Sequence, residues 1–191
     1  KATAVFNAQS VQGNTGGQDV STTSSTITKI STQPTFNQFM YHRDPSLGES
    51  GPFPPKAGQE TTFVVYWQIA NPGNDINKAE ATAVLPSNVS WDSLVGVSGT
   101  TVQPTFNATT STITWKLDKV PFGVGSFASR YEAVFKVKVR PVDNDIGKAL
   151  TIIRNTKLVG VDGFTNQSVT VSSPNLDTSK VVDKPGEGKV Q

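Results

Sequence analysis

Apolar and polar residues alternate along most of this chain, and no stretch shows a helical period. The clearest alternation covers residues 129–139, where apolar side chains occupy every second position and mostly charged or polar ones lie between them. Successive side chains of a strand point to opposite faces, so this pattern predicts a half-buried strand. Comparable runs recur every 8 to 15 residues, separated by turn residues, which is typical of a β-sandwich.

Residues 59–85 give the strongest signal and read as a strand, a tight turn and a second strand. Apolar residues occupy both faces of residues 59–70, which favours a central strand. The turn Asn71-Pro72-Gly73-Asn74-Asp75 combines a residue with preset φ and residues that accept positive φ. Small alanines in residues 79–83 leave room for Trp67. We predict that these two strands form a hairpin at the centre of the sandwich.

Further strands are predicted on either side of this hairpin, over residues 25–31, 35–41, 89–98, 101–107, 111–117, 129–139, 149–161 and 164–173. Residues 42–58 carry four prolines and are expected to form a long loop or to cover a sheet edge. The sequence thus predicts an all-β protein whose antiparallel β-sandwich covers residues 25–173. A polar tail, residues 174–191, is expected to be extended or loosely docked.

The N-terminal residues predict a separate strand that a flexible linker joins to the rest of the chain. Residues 1–9 are β-prone, and Ala2, Ala4, Phe6 and Ala8 share one face of the strand. The residues after it, up to about 24, are rich in Gly, Ser, Thr and Asn and have the composition of a flexible linker. A strand tethered in this way can pair with its own domain or with the exposed edge of a neighbouring molecule.

Composition removes several classes of function. The 191 residues carry 17 basic and 15 acidic side chains, so a net charge of +2 gives no electrostatic case for binding nucleic acid. The chain has no cysteine, which excludes disulfides and thiolate chemistry. No apolar run reaches 18 residues, so no membrane span is predicted. The first residue, Lys1, fits either a processed or a trimmed end.

The sequence offers little catalytic or metal-binding chemistry. His42 is the single histidine, and it lies in the proline-rich loop two residues before Asp44, where we expect an exposed, inert side chain. The run Asp143-Asn144-Asp145 resembles part of a calcium loop, but no glutamate follows at the required spacing. We therefore predict no catalytic residue, no metal and no cofactor.

Several asparagines and the three tryptophans are candidates for covalent modification and for sugar stacking. Asn88, Asn107 and Asn166 fit the N-glycosylation acceptor pattern, which counts only in a source that glycosylates exported proteins. The three tryptophans could form a sugar-stacking platform, but their positions favour the core. The exposure of Trp91 decides between these two interpretations. An isopeptide bond from a lysine to Asn155 would need a buried acid beside it, and no motif singles one out.

An ordered set of short motifs resembles the bacterial cell-surface conserved-repeat domains, a family of immunoglobulin-like fold, over residues 52–173. The stretches that carry the resemblance are AGQET at 57–61, YWQIAN at 66–71, AVLPSNV at 83–89, ITW at 113–115, FKVKV at 135–139 and IRN at 153–155. The resemblance implies a secreted or surface-displayed structural or adhesive module without catalytic residues. It does not extend to residues 1–24.

Three hypotheses about function follow from these observations. The first is a non-enzymatic extracellular protein, a subunit of a surface filament that polymerises when Ala2, Ala4, Phe6 and Ala8 add as a strand to the next copy. The alternatives are a monomeric adhesin or carbohydrate-binding module with a cell-surface or glycan ligand, or a spacer domain of a larger surface protein.

Overall fold

A computed structural model describes residues 2–8 and 20–191, and for residues 2–8 and 20–26 it describes the backbone alone. The chain divides into two compact units, one ending at Ile30 and one running from Ser31 to Gln191. The strands are β1 (Ala2–Ala8), β2 (Val20–Thr26), β3 (Thr35–Tyr41), β4 (Thr61–Ala70), β5 (Ile76–Val84), β6 (Val89–Ser98), β7 (Thr105–Asn107), β8 (Thr112–Val120), β9 (Tyr131–Val139), β10 (Thr151–Asp162), β11 (Ser168–Ser172) and β12 (Leu176–Asp177). Among the described residues, the helices are two single 3-10 turns, Asp143–Asp145 and Thr178–Lys180.

The second unit is an antiparallel β-sandwich, as the sequence predicts. One sheet has the strand order β3-β4-β9-β6, and the other has the order β11-β10-β5-β8-β7, with β12 paired to β10. Alternate residues of both sheets meet in one buried cluster, whose largest side chains include Trp67, Trp115, Phe63 and Phe135. β7 and β8 form an antiparallel hairpin, and so do β10 and β11.

The predicted hairpin between β4 and β5 is wrong, because the two strands belong to different sheets. β4 pairs with β3 and β9, whereas β5 pairs with β8 and β10. The Asn71–Asp75 turn therefore carries the chain across the sandwich. Trp67 and Ala81 are both fully buried in the common core. Alternation places both strands against the core but cannot tell which strands pair.

The N-terminal unit contains an antiparallel two-stranded sheet. β1 pairs with β2 along its whole length, from Ala2 opposite Thr26 to Ala8 opposite Val20. The strand predicted over residues 1–9 is confirmed for residues 2–8. The strand predicted over residues 25–31 is wrong beyond Thr26, and residues 20–24, predicted as linker, belong to β2. Threonine and valine favour strands, which explains this extension; the rest of the predicted linker, residues 10–19, lies outside the described residues, as do Lys1 and Gln9 of the predicted strand.

The C-terminal residues are docked, contrary to the predicted loose tail. Leu176, Thr178, Val181 and Val190 are all buried, and Val181 forms a parallel bridge with Met40 of β3. The Thr178 hydroxyl donates to the Gly188 carbonyl at 2.5 Å, and the Leu150 backbone N–H donates to that hydroxyl. These buried residues are spaced irregularly, so they produce no strand or helix period in the sequence. The sandwich unit consequently extends to Gln191.

Candidate functional site

The aromatic side chains considered as a sugar platform lie in the core or at its margin. Trp67 and Trp115 are fully buried. Trp91 is half-buried, with its ring stacked on Phe135 at 4.9 Å and on Phe106 at 5.7 Å between centroids. Stacked on both sides, the Trp91 indole has no face left for a sugar. The interpretation of the tryptophans as core residues is confirmed.

His42 is buried, so the expectation of an exposed loop histidine is wrong. Its side chain is 4% exposed and stacks on Phe53 with a centroid distance of 5.1 Å. Nε2 lies 3.1 Å from the Gly51 carbonyl, and Nδ1 lies 4.0 Å from a carboxylate oxygen of Glu49. The imidazole also packs edge-on against the buried ring of Phe63 in β4, with centroids 6.2 Å apart. His42 thus fastens the 42–58 loop to the sandwich.

Asp44 also holds the 42–58 loop against the sandwich through hydrogen bonds. Its carboxylate accepts hydrogen bonds from the Tyr66 hydroxyl at 2.7 Å and from the backbone N–H groups of Ser46 and Leu47, each at 2.9 Å. Burial alone would raise the pKa of Asp44, but these hydrogen bonds, with a contribution from Lys136, outweigh it and lower the pKa. Burial and the bond to Asp44 raise the pKa of Tyr66. A carboxylate and a phenol held in this way fix loop geometry.

The remaining candidate positions lie apart from one another on the surface. Asp143 and Asp145 form a 3-10 turn in which the Asp145 carboxylate accepts the Val142 N–H, and the described residues contain no cluster of three potential metal ligands. Asn155 is exposed, which contradicts the buried setting that an isopeptide bond would need. Among the glycosylation candidates, Asn107 and Asn166 are exposed and Asn88 is half-buried.

Sheet edges are features that can bind another chain, because an edge strand presents backbone groups with which a further strand can pair. The edges of the sandwich are β3 and β6 in one sheet and β11 and β7 in the other. Two seams therefore run along the sandwich, one between β6 and β7 and one between β3 and β11.

The β6–β7 seam is closed. Trp91 of β6 stacks on Phe106 of β7 across it, and the Trp115 indole N–H donates to the Val102 carbonyl at 2.8 Å. β6 also carries two irregularities in its pairing with β9, one at Asp92 and one at Val95. Bulges of this kind bend an edge strand and discourage further pairing.

The β3–β11 seam contains a groove of about 520 Å³, called here the β3–β11 groove. Its walls are residues 34–39, residues 171–174 and Gln68, and none of these side chains is charged. Gln38 closes its floor. The Gln38 side-chain oxygen accepts from the Trp67 indole N–H at 3.2 Å and from the Thr156 hydroxyl at 3.0 Å, and its nitrogen donates to the Pro174 carbonyl at 2.6 Å.

The backbone of β3 directs hydrogen-bonding groups into this groove. The Met40 carbonyl points away from β4, since it accepts the Val182 N–H at 2.9 Å. The Phe36 carbonyl points the same way and accepts the Ser173 hydroxyl. Residues two apart in an antiparallel strand direct their backbone groups to the same side, so Gln38 also faces the groove. This edge was not predictable, because the chain that flanks it comes from residues 171–182.

An aromatic cluster that the sequence interpretation missed lies on the outer face beside this edge. Phe39 and Tyr66 stack with ring centroids 5.1 Å apart, and Tyr41 packs edge-on against both rings at 5.9 and 5.8 Å. Phe39 and Tyr66 are directly paired across β3 and β4. The alternation of Phe39 and Tyr41 in residues 35–41 was the available signal.

Comparison with solved structures supports the fold. The sandwich is similar to the full-length major pilin SpaD of Corynebacterium diphtheriae, with a TM-score of 0.50 and 15% sequence identity over 76% of this chain and 34% of that chain. A second solved structure, BcpA, the major pilin subunit of Bacillus cereus, aligns with a TM-score of 0.49 and 10% identity over 91% of this chain and 47% of that chain. At these identities the SpaD alignment shows a shared fold, and nothing further rests on the BcpA alignment.

This chain thus spans about a third of the full-length SpaD chain and about half of the BcpA chain. No protein-family model matches the sequence, and no curated protein matches it. Within the described residues, no helix is long and apolar enough to cross a membrane.

Proposed function

We propose that this chain is a non-enzymatic structural module of an extracellular surface filament, similar to a pilus subunit. In this proposal, residues 2–8 add as a β-strand to a sheet edge of the next copy. Such head-to-tail addition does not close on itself and produces a fibre. Main-chain hydrogen bonds provide most of the affinity, and Phe6 fixes the register.

The observation that carries this proposal is the two-stranded sheet of β1 and β2. A two-stranded ribbon is at most marginally stable in water, and a third strand or a packed face is needed for stability. β2, with the sequence VSTTSST, contributes a single large apolar residue, Val20. The ribbon therefore gains stability when β1 pairs with a further strand, and a neighbouring copy can provide one.

Two further observations agree with a structural role. The fold is shared with SpaD, which is a major pilin. The side chains with the best potential for chemistry, His42 and Asp44, are committed to holding the 42–58 loop. A module of this kind works outside the cell and needs no cofactor.

Sedimentation of matched variants tests the proposal. Phe6→Asn removes the large apolar side chain from the face shared by Ala2, Ala4 and Ala8, whereas Val5→Asn makes the same chemical change on the opposite face. We expect large assemblies for the unchanged chain and for Val5→Asn, and mostly monomer for Phe6→Asn. Equal assembly of the two variants would show that this face does not form the contact, and a monomeric unchanged chain would refute the proposal.

A further inference from the structure

We infer that the acceptor for residues 2–8 of a second copy is the outer edge of β3 along the β3–β11 groove. This inference rests on the proposed function and makes it specific, since it names one of four sheet edges. It also sets the face of β1 that enters the neighbouring sandwich.

Length and protection separate the four edges. β7 has three residues and β11 has five, whereas β1 has seven. β6 is long enough, but its two bulges and the Trp91–Phe106 stack protect it. β3 also has seven residues, pairs with β4 without irregularity and borders an open groove. β3 and β11 border the same groove, and β3 is favoured because the C-terminal residues already pair with its edge and the Gln38 backbone groups face the groove.

The chain already pairs backbone groups of its own with this edge. Val181 forms a parallel bridge with Met40, and the Val182 N–H donates a hydrogen bond to the Met40 carbonyl at 2.9 Å. The C-terminal residues thus occupy the end of β3 and leave the stretch from residue 34 to residue 39 along the groove. The five strand residues in this stretch, 35–39, span about 17 Å, so most of β1 fits beside them.

The backbone of this stretch can bond an incoming strand at small cost. Gln38 directs its N–H and C=O groups into the groove, between the positions where Ser173 and Val182 approach the edge. An incoming backbone N–H can replace the Ser173 hydroxyl on the Phe36 carbonyl. The exchange trades one hydrogen bond for another, and the freed hydroxyl can reach water at the open groove.

The chemistry of the segment matches the chemistry of the groove. Neither residues 2–8 nor the groove residues carry a charge, so pairing desolvates no ion. A strand added beside β3 directs alternate side chains between the two sheets, toward Val171 of β11. The face that Ala2, Ala4, Phe6 and Ala8 share provides one large apolar side chain among small ones. The opposite face, Thr3, Val5 and Asn7, then continues the solvent side of β3.

Engineered cysteines in this cysteine-free chain test the assignment. Two singly substituted chains are mixed and oxidised, so that a mixed disulfide can form only between copies. Val5→Cys, together with Thr3→Cys and Asn7→Cys to scan the register, is combined with Asn37→Cys on the exposed face of β3. The matched partners are Ser90→Cys on β6 and Thr170→Cys on β11, both exposed edge positions.

We expect the mixed disulfide with Asn37→Cys to exceed those with the other two edges by about tenfold, because strand pairing raises the effective concentration of the thiols. Preferred cross-linking to Ser90→Cys or Thr170→Cys would overturn the β3 assignment while leaving strand addition intact. An intramolecular disulfide in a monomer carrying both Val5→Cys and Asn37→Cys would overturn the assignment to a second copy. Chains that stay monomeric by sedimentation and form no mixed disulfide would refute the proposed function itself.

Discussion

At the scale of single residues, buried polar side chains hold the turns of the sandwich, and Asp162 does most of this work at one end. Its carboxylate is fully buried and accepts the Thr32 N–H at 2.6 Å, the Phe164 and Thr165 N–H groups at 2.8 Å, and the Asn74 side-chain amide at 3.0 Å. It therefore ties the start of the sandwich at Thr32 to the turn between β4 and β5 and to the turn that follows β10.

Asp162→Asn should be strongly destabilising, because an amide turns one acceptor oxygen into a donor that faces other donors. We expect a loss of about 2–4 kcal/mol in the free energy of unfolding at neutral pH, measured by urea denaturation. Asp118→Asn is the control, since Asp118 is exposed and its positive φ suits asparagine. Equal stability of the two variants would contradict the role given to Asp162.

The same carboxylate predicts a dependence on acid. Burial raises the pKa of Asp162, but the hydrogen bonds from Asn74, Thr165, Thr32 and Phe164 outweigh it and hold the pKa far below its ordinary value of 3.8. The stabilisation is then complete above the pKa of the unfolded chain and is lost as the pH falls below it.

The difference in unfolding free energy between the unchanged chain and Asp162→Asn should therefore stay constant from about pH 8 to pH 5 and shrink below about pH 4. Urea denaturation of both chains across this range measures it. A difference that grows on acidification would contradict the assignment.

At the scale of elements, the C-terminal residues complete the sandwich and cover part of β3. Val181 is fully buried against β3, whereas the next residue, Val182, is 46% exposed. Val182 still contributes its backbone N–H to Met40, so substitution of either side chain leaves that bond in place. The two valines thus separate burial of a side chain from the pairing of the backbone.

Val181→Ala should cost about 1–3 kcal/mol in the free energy of unfolding, because it leaves a cavity in the core. Val182→Ala should change it by less than about 0.5 kcal/mol. Thermal and urea denaturation of both variants provide the measurement. A negligible loss for Val181→Ala would show that the C-terminal residues are loosely docked after all.

Strand positions were predictable from sequence, but strand pairing was not. β9 and the second part of β5 bury alternate residues, so each leaves a period of two in the sequence, whichever strands lie beside it. The same period is compatible with a hairpin or with a crossing between sheets, which is why the assignment of β4 and β5 failed. Ordinary turn signals cannot separate the two arrangements.

The groove and the docked C-terminal residues lay beyond prediction for a different reason. The groove arises where residues 34–39 meet residues 171–174, more than 130 residues apart in the chain. Val181 and Val190 are buried within a mostly polar stretch and do not alternate with other buried residues, so their burial leaves no periodic pattern. The exposed positions of Asn107 and Asn166 agree with turn residues in the sequence, but whether they carry glycans stays a prediction.

At the scale of the whole molecule, the chain combines a complete sandwich with a small two-stranded sheet. The sandwich has its own core and shares its fold with a major pilin. The two-stranded sheet lacks a third strand within its own hydrogen-bonded sheet. In the proposed assembly, the N-terminal strand of one copy adds to a sheet edge of the next copy.

Negative-stain electron microscopy of the chain with and without residues 1–12 tests this central claim most directly. We expect filaments of the full chain, and single particles in which the sandwich stays folded, by circular dichroism, when residues 1–12 are removed. Filaments formed equally well by the shortened chain would contradict assembly through the N-terminal strand, and single particles of the full chain at high concentration would contradict assembly altogether.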